Sequence, residues 1–122
     1  MTDLTTTIDT HLTAYCEPEP VARRRLVEAA WAADGELLDP PLEGRGLDEI
    51  AALTDVVLAH YPGHRFERTT DVDEHHGFAR YGWRLVGPDG TVSVTGTDVA
   101  NVDDDGRLVK VVGFFGDLAP VS

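Results

Sequence analysis

The period of the apolar residues changes once along this chain, at Pro62-Gly63, and that change limits the folds open to it. Before it, apolar side chains recur every three or four residues, as on one face of a helix; after it they alternate, as on one face of a sheet. Leu4, Ile8, Leu12 and Tyr15 mark a first helix, ended by Glu17-Pro18-Glu19-Pro20 because neither proline fits a helix interior. A second helix starts near Pro20, carries Leu26, Val27, Ala30 and Trp31 inward with Arg23, Arg24 and Glu28 largely outside, and stops at Asp34-Gly35. A short extended piece, Glu36 to Asp39, leads into Pro40-Pro41-Leu42-Glu43-Gly44-Arg45-Gly46, predicted as an ordered loop. Asp48 and Glu49 suit the first turn of a third helix, whose buried stripe is Leu47, Ile50, Leu53, Val57, Leu58 and Tyr61.

The alternating half offers strands over His64 to Val72, Gly77 to Val86, Thr91 to Val102 and Arg107 to Phe115. Gly87-Pro88-Asp89-Gly90 and Asp103-Asp104-Asp105-Gly106 are turn sequences, so the last three strands form an antiparallel meander. Helices followed by strands predict an α+β fold. The final strand is apolar in both phases except at Lys110, so both its faces should be covered. The helices cover one, and a second copy of the chain is the simplest cover for the other, which predicts a homodimer through the sheet.

One residue breaks the alternation. Val92, Val94, Gly96, Ala100 and Val102 share an inward phase with Asp98, while Thr91, Ser93, Thr95, Thr97 and Asn101 occupy the other. A carboxylate on the inner face must be paired, hydrogen-bonded, or neutral with a raised pKa. A salt bridge to Arg80 or Arg84 on the neighbouring strand would satisfy it without any chemistry.

At 122 residues the chain is expected to form a single domain, residues 1–122. Twenty-two acidic residues against ten basic give a formal charge of −12, which argues against nucleic acid and anionic membrane surfaces as partners. No segment reaches the roughly 20 apolar residues of a membrane span. Met1-Thr2-Asp3-Leu4-Thr5 lacks the charge and apolar run of a secretion signal, and the lone Cys16 cannot form an internal disulfide, so a cytoplasmic location is expected. His75 and His76 read as turn histidines, with His60 a further side chain that could reach a pocket; no metal or other cofactor is expected.

The order of a helix, a Pro-rich break, a helix ending in Trp31-Ala32-Ala33-Asp34-Gly35, a short strand ending in Asp39-Pro40, a Gly-rich loop, a helix and a long meander resembles the nuclear-transport-factor-two-like superfamily. Within it the chain is similar to the SnoaL-like proteins and the ketosteroid isomerases. The resemblance implies three helices packed on a strongly curved, mainly antiparallel sheet, a cystatin-like α+β roll enclosing a conical apolar pocket. It also implies a small apolar ligand or substrate, walled by Trp31, Val57, Tyr61, Trp83 and Phe114. The isomerases place a Tyr on the first helix, an Asp in the Asp-Pro step and a second Asp on the penultimate strand; Tyr15, Asp39 and Asp98 match those places. The spacings from Tyr15 to Asp39 and from Asp98 to Gly116 are compatible with theirs.

What the resemblance implies for chemistry is an Asp39 base that removes a proton beside a carbonyl, with Tyr15 and a protonated Asp98 holding the oxygen that becomes negative. Plainer roles stand beside these: Asp39 as a turn residue and Tyr15 as core. The third helix reads Thr54-Asp55-Val56-Val57-Leu58 where the isomerases carry a supporting tyrosine. SnoaL-like cyclases use an Asp base on a polyketide, and epoxide hydrolases of the superfamily use paired Asp with Arg. A binding module of the same fold, with no turnover, is the alternative to an enzyme.

Overall fold

In the computed structural model, which describes residues 3–121, helix α1 (Leu4–Ala14) buries Ile8 and Leu12 of the predicted stripe and half-buries Leu4, Ala14 is buried as well, and the buried Tyr15 is its C-cap. The reading of the N-terminal pentapeptide falls partly on Met1 and Thr2, which lie outside the described residues. Helix α2 (Pro20–Ala30) begins on its proline, and the Glu19 carboxylate caps it by accepting hydrogen bonds from the amides of Val21 and Ala22. Arg23, expected outside, is buried. Its Nε donates to Asp55 at 3.1 Å and its guanidinium also donates to the Glu17 carbonyl at 2.9 Å. It thereby ties α2 to the Pro-rich connector and to the third helix, and burial is tolerated because the charge is paired.

Helix α2 stops one turn earlier than the sequence predicts. Trp31 opens strand β1 (Trp31–Asp39), which runs parallel to β7 (Leu108–Phe115), with a register irregularity between Trp31 and Glu36. Gly35 is therefore no helix stop. A Cβ there would strike the Trp31 indole, so the glycine makes room for the ring inside the bulge. The predicted loop after Asp39 is also part strand: β2 (Leu42–Arg45) pairs antiparallel with β1. Helix α3 (Gly46–His60) follows, with Asp48 and Glu49 in its first turn.

The stretch expected as one strand over residues 64–72 resolves into β3 (Arg65–Arg68), and β4 (Asp73–His75) follows; both pair antiparallel with β5 (Phe78–Val86). His76 and Gly77, both at positive φ, close the β4–β5 turn, and His75 and His76 are exposed there. Strands β5, β6 (Val92–Val102) and β7 form the predicted meander. The sheet order is β2-β1-β7-β6-β5-β3, all antiparallel except β1 with β7, and the sheet curves around the helices.

The inner face and the helices share one apolar core, which includes Ile8, Val27, Trp31, Leu37, Ile50 and Val111. Along α3 only Ile50 and Thr54 are buried; Val57 and Leu58 are half-buried and Tyr61 is exposed. Few side chains of that helix are fully buried because part of the face it turns inward borders a hollow. The outer face of the sheet is uncovered. Phe114 and Val99 are 59% and 41% exposed, and the register sets Val99 beside Val112, and Val112 beside Leu38.

Candidate active site

Where β1, β6 and β7 run side by side, Gly113 of β7 separates two acids. A Cβ built on Gly113 would collide with Asp39 Oδ1 and lie 3.0 Å from Asp98 Oδ1, so the two carboxyl groups flank the position that glycine leaves empty. Asp39 is the last residue of β1, and Asp98 sits opposite Gly113 on β6. Alternation turns both inward, with Tyr15 meeting them from the end of α1. All three line one cavity of about 390 Å³, at the small end of ligand pockets.

The cavity has a floor and a mouth. Leu12, Tyr15, Trp83, Leu85 and Asp98 are buried lining residues and make the floor; Pro41, Val56, His60, Tyr61 and Phe115 are exposed and make the mouth. Val57, Tyr61 and Trp83 border the cavity as expected. Trp31 and Phe114 do not. Trp31 lies in the core, edge-on to His11, because the early start of β1 directs its ring under the helices. Phe114 has the outward phase of β7, so its neighbour Phe115 takes the place at the mouth.

Asp98 is 4% exposed and is satisfied without any arginine. The Tyr81 hydroxyl lies 2.8 Å from its Oδ2, and the Trp83 indole Nε1 donates to its Oδ1 at 2.8 Å. Arg80 and Arg84 have the opposite phase of β5 and bind Asp73 and Glu67 on the outside, which removes the salt-bridge reading. Burial is the main cause raising the Asp98 carboxyl to about 7; the nearby Asp39 charge adds to it, and the bonds from Tyr81 and Trp83 oppose it. Tyr81 was not singled out from the sequence. The signal was its shared phase with Trp83 on the strand preceding Asp98, but the register that brings it opposite Asp98 depends on an irregularity between Leu85 and Val86.

Burial also lifts Asp39, to about 6. Its Oδ1 is buried with no hydrogen-bond donor among the described residues, an arrangement native proteins seldom leave unexplained. The Tyr15 hydroxyl likewise has no hydrogen bond among the described residues, and burial with the Asp39 and Asp98 charges pushes its pKa up, keeping it a neutral donor. Two acids this close share their charge: ionising one raises the other. The floor therefore gathers two carboxyl groups with raised pKa values and one neutral phenol. Among the described residues, no three His, Cys, Asp or Glu side chains are grouped to hold a metal, and no helix is long and apolar enough to cross a membrane.

The three helices on a curved sheet are the α+β fold of the nuclear-transport-factor-two-like proteins. The chain is 38% identical to a candidate isomerase of the SnoaL-like family from Agrobacterium tumefaciens C58, over 96% of this chain and 100% of that one, with a TM-score of 0.87. It belongs to the SnoaL-like family. More distant structures share the fold: an NTF2-like protein from Exiguobacterium sp. 255-15 (19% identity, 92% and 99% covered, TM-score 0.73) and a candidate SnoaL-like polyketide cyclase from Jannaschia sp. CCS1 (15%, 91% and 85%, TM-score 0.68). No family model and no curated protein matches the sequence.

Proposed function

We propose that the chain is a cofactor-free isomerase or cyclase acting on a small, largely apolar carbonyl compound. The observation that carries this is the convergence of Asp39, Asp98 and Tyr15 on the floor of one apolar cavity, with Asp98 free of any arginine. Burial raises both carboxyl groups, and in this reading the charge they share rests on Asp39 when it takes the proton, with Asp98 protonated. Asp39 removes a proton from the carbon next to the carbonyl. The electron pair moves onto the carbonyl oxygen, which Tyr15 and protonated Asp98 hold by donating hydrogen bonds; Asp39 then returns the proton to a different carbon, or the enolate carbon attacks a second carbonyl carbon of the same molecule, whose oxygen takes the π electron pair and then the proton from Asp39 as the ring closes. Each oxyanion donor contributes about 3–4 kcal/mol to such a step. Names of similar structures, an isomerase and a polyketide cyclase among them, agree with that reaction class.

The test is deuterium exchange at the carbon beside the carbonyl, followed by NMR in D₂O across a panel of bicyclic and tricyclic ketones. Wild-type protein should accelerate exchange for at least one, and Asp39→Asn should lose that acceleration by on the order of a thousandfold, the scale of a general-base contribution combined with lost orientation. A second reading has one observation in its favour: Tyr81 and Trp83 already engage both Asp98 oxygens, which would suit a ligand-binding module without turnover. Ketones that bind but exchange no faster than in buffer would select that reading.

The partner we propose is a second copy, seated on the outer face around Phe114, Val112 and Val99, since exposed apolar area of this kind marks association surfaces. With Cys16 free, a reducing cytoplasm is the compartment we propose.

A further inference from the structure

The cavity is polar at both ends and apolar between. Its inner polar groups are Tyr15, Asp39 and Asp98; at the mouth, the lining side chains with polar atoms are His60 and Tyr61. His60 is held by its own helix, for its Nδ1 lies 2.9 Å from the Val56 carbonyl oxygen. A carbonyl can only accept, so Nδ1 carries the proton and the neutral ring is fixed as the tautomer whose Nε2 is a bare acceptor. The backbone bond also limits rotation of the ring, which lowers the entropic cost of using Nε2 as an acceptor.

We infer that His60 is a specificity residue: its Nε2 accepts a hydrogen bond from a hydroxyl at the end of the ligand remote from the carbonyl or enol held on the floor. The inference deepens the proposed function and rests on it, because it takes the floor as the site of the reacting oxygen. A hydroxyl fits better than a carboxylate or phosphate. The chain carries a net charge of −12 and the floor carries two acids, so an anion entering this cavity meets repulsion. A hydrocarbon end would leave the acceptor without a partner in the rim it covers, which is how a site discriminates against an analogue lacking one polar group. The substrate class is thus a hydroxylated ketone or its phenolic enol, with its two oxygens at opposite ends of a flat apolar body.

Two pairs of probes test this at pH 8: 2-naphthol with 2,6-dihydroxynaphthalene, and 4-phenylphenol with 4,4′-dihydroxybiphenyl. In each pair the first hydroxyl mimics the enol and only the diol carries the remote one. Titration calorimetry on the wild type should give, for at least one pair, a diol bound roughly three- to tenfold tighter than its parent, the value of one neutral hydrogen bond. That ratio should fall to about one in His60→Phe, persist in Tyr61→Phe, and return in part in His60→Gln, whose amide oxygen is again an acceptor. Parents that bind while neither diol gains, or a ratio that survives His60→Phe or disappears only in Tyr61→Phe, would overturn the inference and leave the proposed function standing. Failure of both parents to bind would instead remove the cavity as a ligand site, and the inference with it.

Discussion

Replacing Asp98 with asparagine should stabilise the protein at pH 8 while impairing the site. Asparagine keeps the shape and both bonds: its amide oxygen still accepts from the Trp83 indole, and its amide nitrogen donates to the Tyr81 hydroxyl oxygen. What it removes is the cost of holding a charge away from water. The folded carboxyl sits at about 7 against an ordinary 3.8, and each unit of that gap corresponds to about 1.4 kcal/mol. At pH 8 the native state therefore carries about 4 kcal/mol of destabilisation that the variant lacks. The sign follows from a folded value above the unfolded one: below pH 4 both states are protonated and nothing is lost, the loss grows from pH 4 to pH 7, and it is constant above. His11 works the other way across part of that window, since burial drops it to about 4 from 6.5 and favours the folded state as pH rises. The two trends overlap in the wild type, so the difference between variant and wild type is the quantity to measure. Urea unfolding at pH 8 should place Asp98→Asn about 4 kcal/mol above wild type with an unchanged m-value, narrowing to about 2 kcal/mol at pH 5. A variant no more stable than wild type at pH 8, or an advantage that does not shrink at pH 5, would refute the claim that Asp98 is held against its own burial.

Trp83→Phe deletes one of the two bonds that favour ionised Asp98, so its carboxyl should titrate about one unit higher, read from the ¹³C shift of that carboxyl in a pH series. A carboxyl that does not move would mean that the indole bond is spent on position alone. On the outer face, Phe114→Glu places a charge in the centre of the proposed dimer contact and should shift the sedimenting species to a single chain, with the cavity and its ligand affinity kept because the side chain points away from the site.

Much of this architecture is legible locally. Stripes at Leu4, Ile8 and Leu12, the proline break before α2, and acids in the first turn of α3 act through neighbours three or four residues away, and the turns between β5, β6 and β7 act through two to four residues. Asp98 was legible for the same reason, since parity along one strand assigns its face. The misreadings arise where a distant partner outweighs local preference. Trp31-Ala32-Ala33 favours helix on its own, yet pairing with Leu108 at the far end of the chain draws it into a strand. Leu42–Arg45 reads as loop until β1 offers it an edge.

The amino-acid sequence by itself determined three helices and a sheet, the meander of the last three strands and the inward face of Asp98; that Asp39 and Tyr15 meet it was implied only by the resemblance. Which donors satisfy Asp98 was decided only in three dimensions. Continuing the Val86–Val92 pairing without a break would set Arg80 opposite Asp98; the register irregularity between Leu85 and Val86 moves Tyr81 there instead and brings the Trp83 indole within reach. Whether Phe114 or Phe115 reaches the cavity, and how deep the hollow under α3 runs, likewise depend on strand register and helix tilt. These are set by packing summed over many weak contacts between residues far apart in the chain, and no short stretch of sequence holds that sum.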